Sequence, residues 1–75
     1  MTITVVTGSW ARRYIPNERV ELTLPEGATA QDTLEPLGIP AEEAGLFAID
    51  DSAVAPHAPL ASGDILRIFP AVMGG

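Results

Sequence analysis

The 75-residue chain ends in Met73-Gly74-Gly75, a free carboxylate carried on two bare glycines. A C-terminal carboxylate is the one carboxyl group of a protein that can be activated as an acyl-adenylate without touching a side chain. The glycine pair removes every Cβ near it, so the end can thread a narrow channel in a partner and approach catalytic groups closely. Other candidates for chemistry are weaker. His57 stands alone in a proline-flanked segment and reads as a surface residue. Asp50-Asp51 reads as a turn, because a calcium loop needs more oxygen ligands than these two supply. Cysteine is absent, which removes thiolate metal sites, iron–sulfur ligation and thiol nucleophiles together. Nothing resembles a phosphate-binding loop. Gly75 is therefore the candidate reacting residue, with Gly74 and Met73 as its approach, and the catalytic groups must come from elsewhere. A Gly-Gly end alone is also what a frayed tail without a role looks like. Its weight depends on the element that launches it.

That element is Ile65-Leu66-Arg67-Ile68-Phe69-Pro70, which reads as a strand with Leu66 and Ile68 inward and Arg67 and Phe69 outward. Thr2–Thr7 alternates as a β-branched strand, with Ile3 and Val5 toward the core and Thr2, Thr4 and Val6 outward. Arg19–Leu24 alternates in the same way, placing Val20, Leu22 and Leu24 inward. Between these two strands, Trp10–Asn17 forms a helical turn or a broad loop, with Trp10 and Tyr14 as satellite core. Thr29 is a helix N-cap with Asp32 three residues on, and Ala30, Thr33, Leu34 and Leu37 share the buried face. Pro36 predicts that the regular helix ends near Glu35, and Gly38 turns the chain. Pro40–Ala44 reads as one helical turn, Leu46–Ile49 as a short strand, Asp50-Asp51-Ser52 as a turn, and Val54 as the start of a partner strand. Ala55–Ser62 is a surface loop anchored by Leu60, and Asp64 stabilises the turn into the last strand. Strand, strand, helix, short strands and final strand make an α+β chain. The first and last strands are expected as central neighbours and the helix packs across a mixed sheet. That is the β-grasp, or ubiquitin-like, fold, as one domain over residues 1–75 with a flexible tail from about residue 71.

Composition agrees with a single small core: 47% of residues are hydrophobic. A domain of this size buries only about 60% of its unfolded surface, so packing must be efficient. No apolar run reaches the roughly 20 residues of a membrane span, and no signal peptide is evident, so the expected location is cytoplasmic with no membrane partner. The formal net charge is −6, from ten acidic against four basic residues. That field repels phosphate backbones, which argues against nucleic acid and for a basic surface on a protein partner. The basic residues are all arginine, Arg12, Arg13, Arg19 and Arg67, and no lysine is present to attack an activated carboxyl. An arginine-biased composition accounts for this as simply.

The run Glu21-Leu-Thr-Leu-Pro-Glu-Gly-Ala-Thr29, the Leu34-bearing helix, Gly38-Ile-Pro40, Pro59-Leu60 and above all Gly63-Asp64-Ile-Leu-Arg-Ile-Phe69-Pro70-Ala-Val72-Met-Gly74-Gly75 resemble the MoaD/ThiS family of sulfur-carrier proteins. The arginine-containing segment Trp10–Tyr14 stands where that family often carries one. The resemblance implies a chain with no catalytic residues of its own and no bound cofactor or metal. It implies two kinds of partner. An adenylating enzyme related to ubiquitin-activating enzymes uses ATP to join AMP to Gly75, and sulfur from a persulfide then leaves a thiocarboxylate. A sulfur-accepting enzyme, such as the large subunit of molybdopterin synthase or thiazole synthase, takes the sulfur. The expected partner contacts are Phe69, Arg67, Val6 and Val72. The Phe69-Pro70-Ala71-Val72 approach is closer to the small subunit of molybdopterin synthase, which points to molybdenum or tungsten cofactor biosynthesis. Thiamine thiazole synthesis, tRNA thiolation or protein conjugation are the alternatives, and a β-grasp interaction module without terminal chemistry is the alternative of another class. The chain departs from the family pattern at Met73, where a small residue is usual, and at Ala71, where a second proline is common. It departs also at Asp50-Asp51, where Asn-Gly often occurs, and at Pro36. Met73 bears on which acceptors admit the tail.

Overall fold

A computed structural model describes residues 1–71 of the chain. Five strands form one mixed sheet: β1 (Thr2–Val6), β2 (Arg19–Thr23), β3 (Ala44–Ile49), β4 (Ser52–Val54) and β5 (Ile65–Pro70), in the order β2-β1-β5-β3-β4. The first and last strands are neighbours as expected, paired in parallel with Val5 opposite Leu66. Antiparallel partners flank them: Ile3 faces Leu22 on one side, and Phe47 faces Ile68 on the other. Alternation explains the core. Ile3, Val5, Leu66 and Ile68, the inward residues of the two β-branched and apolar strands, are the largest fully buried side chains, with Thr33 from the helical layer.

The helical layer is short and irregular. A 3₁₀ segment, Ala30–Thr33, leads into α1 (Leu34–Leu37), and Ala30, Thr33, Leu34 and Leu37 are all buried against the sheet. Asp32 accepts the Thr29 N–H at 2.8 Å, the acidic half of a capping box. The reciprocal half is not made. The Asp32 N–H bonds the Thr29 carbonyl at 3.0 Å, which leaves the buried Thr29 hydroxyl without a partner among the described residues. The next orphan donors of the helix start are met by the proline-rich loop, since Ala30 and Gln31 donate to the carbonyls of Ala58 and Pro56. Leu60, buried as expected, donates back to the Ala28 carbonyl at 2.9 Å.

The expectation that regular helix ends near Glu35 is corrected: α1 runs through Pro36 to Leu37. The α-helical turn starts only at Leu34, so Pro36 lies in its first turn. Amide hydrogens there have no intrahelical acceptor, and proline loses nothing by lacking one. The chain then turns at Gly38, as expected. Gly38 adopts φ 76°, a left-handed conformation that suits glycine, and the amides of Gly38 and Ile39 bond the carbonyls of Glu35 and Leu34.

Smaller boundaries also shift. β1 ends at Val6 rather than Thr7, and β3 begins two residues before Leu46. The hairpin turn takes only Asp50 and Asp51, so Ser52 already belongs to β4 and Val54 ends that strand instead of beginning it. Both aspartates have positive φ, 50° and 67°, and Ile49 pairs with Ser52, the two-residue turn whose twist matches its strands. Asp64 closes the turn into β5 by accepting the Ala61 N–H at 2.8 Å. No helix among the described residues is long and apolar enough to cross a membrane.

Candidate functional site

The outward face of β5 carries the residues that sequence reasoning singled out. Arg67 is exposed, opposite Val6 on β1 and Ala48 on β3, and Val6 is half-buried. Phe69 follows two residues on, on the same face, and is 42% exposed. The structure adds a residue that the sequence reading left unassigned. Leu46 on β3 stands directly opposite Phe69 and is 47% exposed. Phe69 and Leu46 are the only large hydrophobic side chains this open among the described residues. A strand period of two, counted from inward Phe47, would have placed Leu46 outward.

Beside Phe69 lies a small notch of about 120 Å³ lined by Val6, Thr7, Trp10, Arg67 and Pro70. Trp10 and Tyr14 pack partly buried against the core, as expected of satellite residues. Arg19 shares this outward face, paired with Val6, so the face carries two cations around its apolar centre despite the acidity of the whole chain. A wider groove of about 830 Å³ lies between the helical layer and β3. Its lining includes Leu34, Ile39 and Phe47 with the carboxylates of Glu26, Asp32 and Glu35, and contains no hydroxyl, imidazole or amine that could act as a nucleophile or base.

β5 leads to Ala71, where the root of the tail is held by β3 and the turn before it. The Ala71 N–H donates to the Glu43 carbonyl at 2.9 Å, from the 3₁₀ turn Ala41–Glu43. The Glu43 side chain in turn accepts the Tyr14 hydroxyl at 2.6 Å. The pairing of β3 with β5 is interrupted between Ala44 and Leu46, which leaves Gly45 as the bulged residue facing the end of β5. Val72, Met73, Gly74 and Gly75 lie outside the described residues.

The bond from Tyr14 to Glu43 holds the phenol above its ordinary value of 10.0, helped by partial burial and the carboxylate charge; the Arg13 guanidinium, 6.0 Å from the ring centre, opposes it. A raised value in the folded state means that the neutral phenol is favoured by folding. Its contribution is therefore complete below about pH 10 and is lost as pH rises through the folded value. Tyr14 is the only tyrosine. Tyrosinate absorbance of the native protein should thus titrate above about pH 10, and Glu43→Gln should lower the midpoint toward that of an unfolded control. An unmoved midpoint in Glu43→Gln would remove the carboxylate from the account.

The profile of the ThiS family matches residues 10–75. No curated protein matches the chain at a significant level. Solved structures share its fold at low identity. A Pyrococcus furiosus protein assigned as subunit 1 of a molybdopterin converting factor superposes with a TM-score of 0.76 at 23% identity, covering 96% of this chain and 99% of that one. Small archaeal modifier protein 1 of Haloferax volcanii gives 0.75 at 21% identity, over 95% and 98%. In a complex of subunits 1 and 2 of the molybdopterin-converting factor from Helicobacter pylori, a chain covered to 100% on both sides gives 0.62 at 19% identity. These likenesses establish the ubiquitin-like β-grasp fold.

Proposed function

This chain belongs to the ThiS family of small, non-catalytic sulfur carriers, and on that footing we propose that its Gly75 carboxylate is adenylated and converted to a thiocarboxylate by partner enzymes. The observation that carries the reading is that the family match runs through Gly75. The strand before the tail, β5, presents Phe69 on its outward face, with Leu46 of β3 directly opposite.

The chemistry assigns roles cleanly. A carboxylate is a poor electrophile until one oxygen becomes part of a good leaving group. Attack of the Gly75 carboxylate on the α-phosphorus of ATP expels pyrophosphate and makes AMP that group. A persulfide sulfur then adds to the carbonyl, AMP departs, and a thiol cleaves the resulting acyl disulfide to release the thiocarboxylate. Each step needs groups that the partner supplies, and the chain itself contributes its terminal carboxylate and a docking face. With no cysteine, it holds no thiol to compete for the acyl group.

Phe69, Leu46, Val6 and Arg67 make that docking face, with the adenylating enzyme as occupant. Aromatic and arginine side chains at the centre of an apolar patch are the usual strong contributors to an interface. Phe69→Ala should weaken binding to that enzyme about ten-fold or more in a titration, and should cost under about 1 kcal/mol of stability because the ring is half-exposed. A larger loss of stability than of binding would place Phe69 with the core instead.

For the destination of the sulfur, the approach Phe69-Pro70-Ala71-Val72 supports a role as small subunit of a molybdopterin synthase. The likeness to molybdopterin converting factor subunits is compatible with it. The likeness to a small archaeal modifier supports protein conjugation as the second reading. Incubation with the cognate adenylating enzyme, ATP and a persulfide donor, followed by intact mass, tests the carrier chemistry. The expected product has one oxygen replaced by sulfur. If an enzyme of proven activity yields neither this product nor an acyl-adenylate, the chain is a β-grasp interaction module. Supplying the loaded chain to a molybdopterin synthase large subunit or to candidate protein targets separates the two destinations.

A further inference from the structure

From the packing of the tail root we infer that Gly45 is a positioning residue for sulfur loading: its bare α-carbon forms the seat that sets the direction in which the chain leaves the sheet. The inference rests on the carrier reading above and concerns the packing of Gly45 on Pro70 and Ala71.

The case is one of space. A Cβ built on Gly45 would stand 2.5 Å from the Ala71 Cα, 2.7 Å from the Pro70 carbonyl oxygen and 2.9 Å from the Ala71 nitrogen. All three atoms are backbone, so no rotation of a side chain relieves the overlap, and Pro70–Ala71 would have to lift away. Positive φ is not the reason for glycine here, unlike at Gly38. The reason is the approach of a second backbone at the bulge. Glu43, two residues earlier, fixes the same point from the other side through its carbonyl bond to the Ala71 N–H, and is itself held by Tyr14. That amide hydrogen is available because residue 71 is alanine; proline would lack it.

The seat matters because of leverage. Four residues follow Ala71, and at most about 3.5 Å each they carry the carboxylate up to ~14 Å away. A tilt of about 20° at the root moves the extreme reach by roughly 5 Å on that span. Misplacement of a reacting group by about 1 Å can cost ~100-fold in rate. The docking face is untouched by such a tilt, because Phe69 and Leu46 remain on paired strands. Binding and chemistry should therefore separate.

Gly45→Ala tests this in two ways. Gly45 is exposed and outside the core, so the variant should fold, and thermal unfolding verifies it. In the free protein, amide exchange at Ala71 followed by NMR should accelerate about ten-fold or more relative to wild type, with β1 and β5 core amides unchanged. In loading kinetics with the adenylating enzyme, kcat should fall about 10- to 100-fold while KM for the carrier stays within about three-fold. Leu46→Ala, one residue on, should show the opposite pattern, a raised KM with kcat kept. Unchanged Ala71 exchange, or a Gly45→Ala variant that loads at the wild-type kcat, overturns the inference. A rise in KM alone reassigns Gly45 to the docking face and overturns it equally. If wild type gains no sulfur, the carrier reading fails separately, and Ala71 exchange still decides whether Gly45 seats the tail root.

Discussion

Deleting Gly75 should abolish sulfur loading completely and move the thermal midpoint by less than about 2 °C. The first half follows from what the chain can offer chemically. In the proposed chemistry the adenylate forms on the terminal carboxylate, and deletion would leave that carboxylate on Gly74, one residue, or about 3.5 Å, short of the partner's catalytic groups. Near-attack geometry requires reacting atoms about 3–3.5 Å apart, so a shortfall of that size is not absorbed. The second half follows from where the core is. Ile3, Val5, Leu66 and Ile68 close the sheet, Leu34, Leu37 and Leu60 cover it, and among the described residues the strand pairing runs no further than Pro70. Intact mass after incubation with enzyme, ATP and persulfide donor reads the first half; a calorimetric scan reads the second. An unfolded deletion variant would make the end structural. A loaded one would place the chemistry elsewhere.

The strands that launch and support the tail are legible in the sequence because their information is local. Period-two alternation assigns Ile3, Val5, Leu66 and Ile68 inward and Phe69 outward without knowledge of any neighbour, and the structure agrees at each. Thr29 and Asp32 announce the helix start for the same reason, since a cap acts within one turn. Pro36 misleads because its cost depends on which turn of the helix it occupies, and that is set by a 3₁₀ segment that propensity does not reveal. Leu46 escapes notice because its significance arises only from standing opposite Phe69, a pairing between residues 23 positions apart in the chain. Gly45 and the Tyr14–Glu43–Ala71 chain of bonds are less legible still. Each depends on backbone or side-chain atoms brought together by the fold, although a glycine inside a strand is a signal for a bulge or a close approach. Gly75 is legible in the sequence as a chemical possibility, and the family match, which extends to it, supports the proposed role.

Leu66→Ala should destabilise the chain by about 2–5 kcal/mol. Leu66 has 0% exposure at the centre of the sheet, opposite Val5 on one side and Ile49 on the other. Truncation removes the transfer energy of its side chain and leaves a cavity that two paired backbones cannot collapse into. A domain of this length has roughly 4–11 kcal/mol in all, at about 0.05–0.15 kcal/mol per residue, so the midpoint should fall by ~10 °C or more. Denaturant titration measures the loss directly; a change below about 1 kcal/mol would mean that the core repacks around the gap. The same variant separates scaffold from chemistry. Its outward face and its terminus are intact, so loading at a temperature well below the new midpoint should match wild type, and loading near that midpoint should fail with the unfolded fraction. The Gly75 deletion should fail at every temperature. A Leu66→Ala protein that stays folded yet does not load would show that the strand interior transmits to the tail root, which the alternation of β5, with its inward and outward faces separately satisfied, gives no reason to expect.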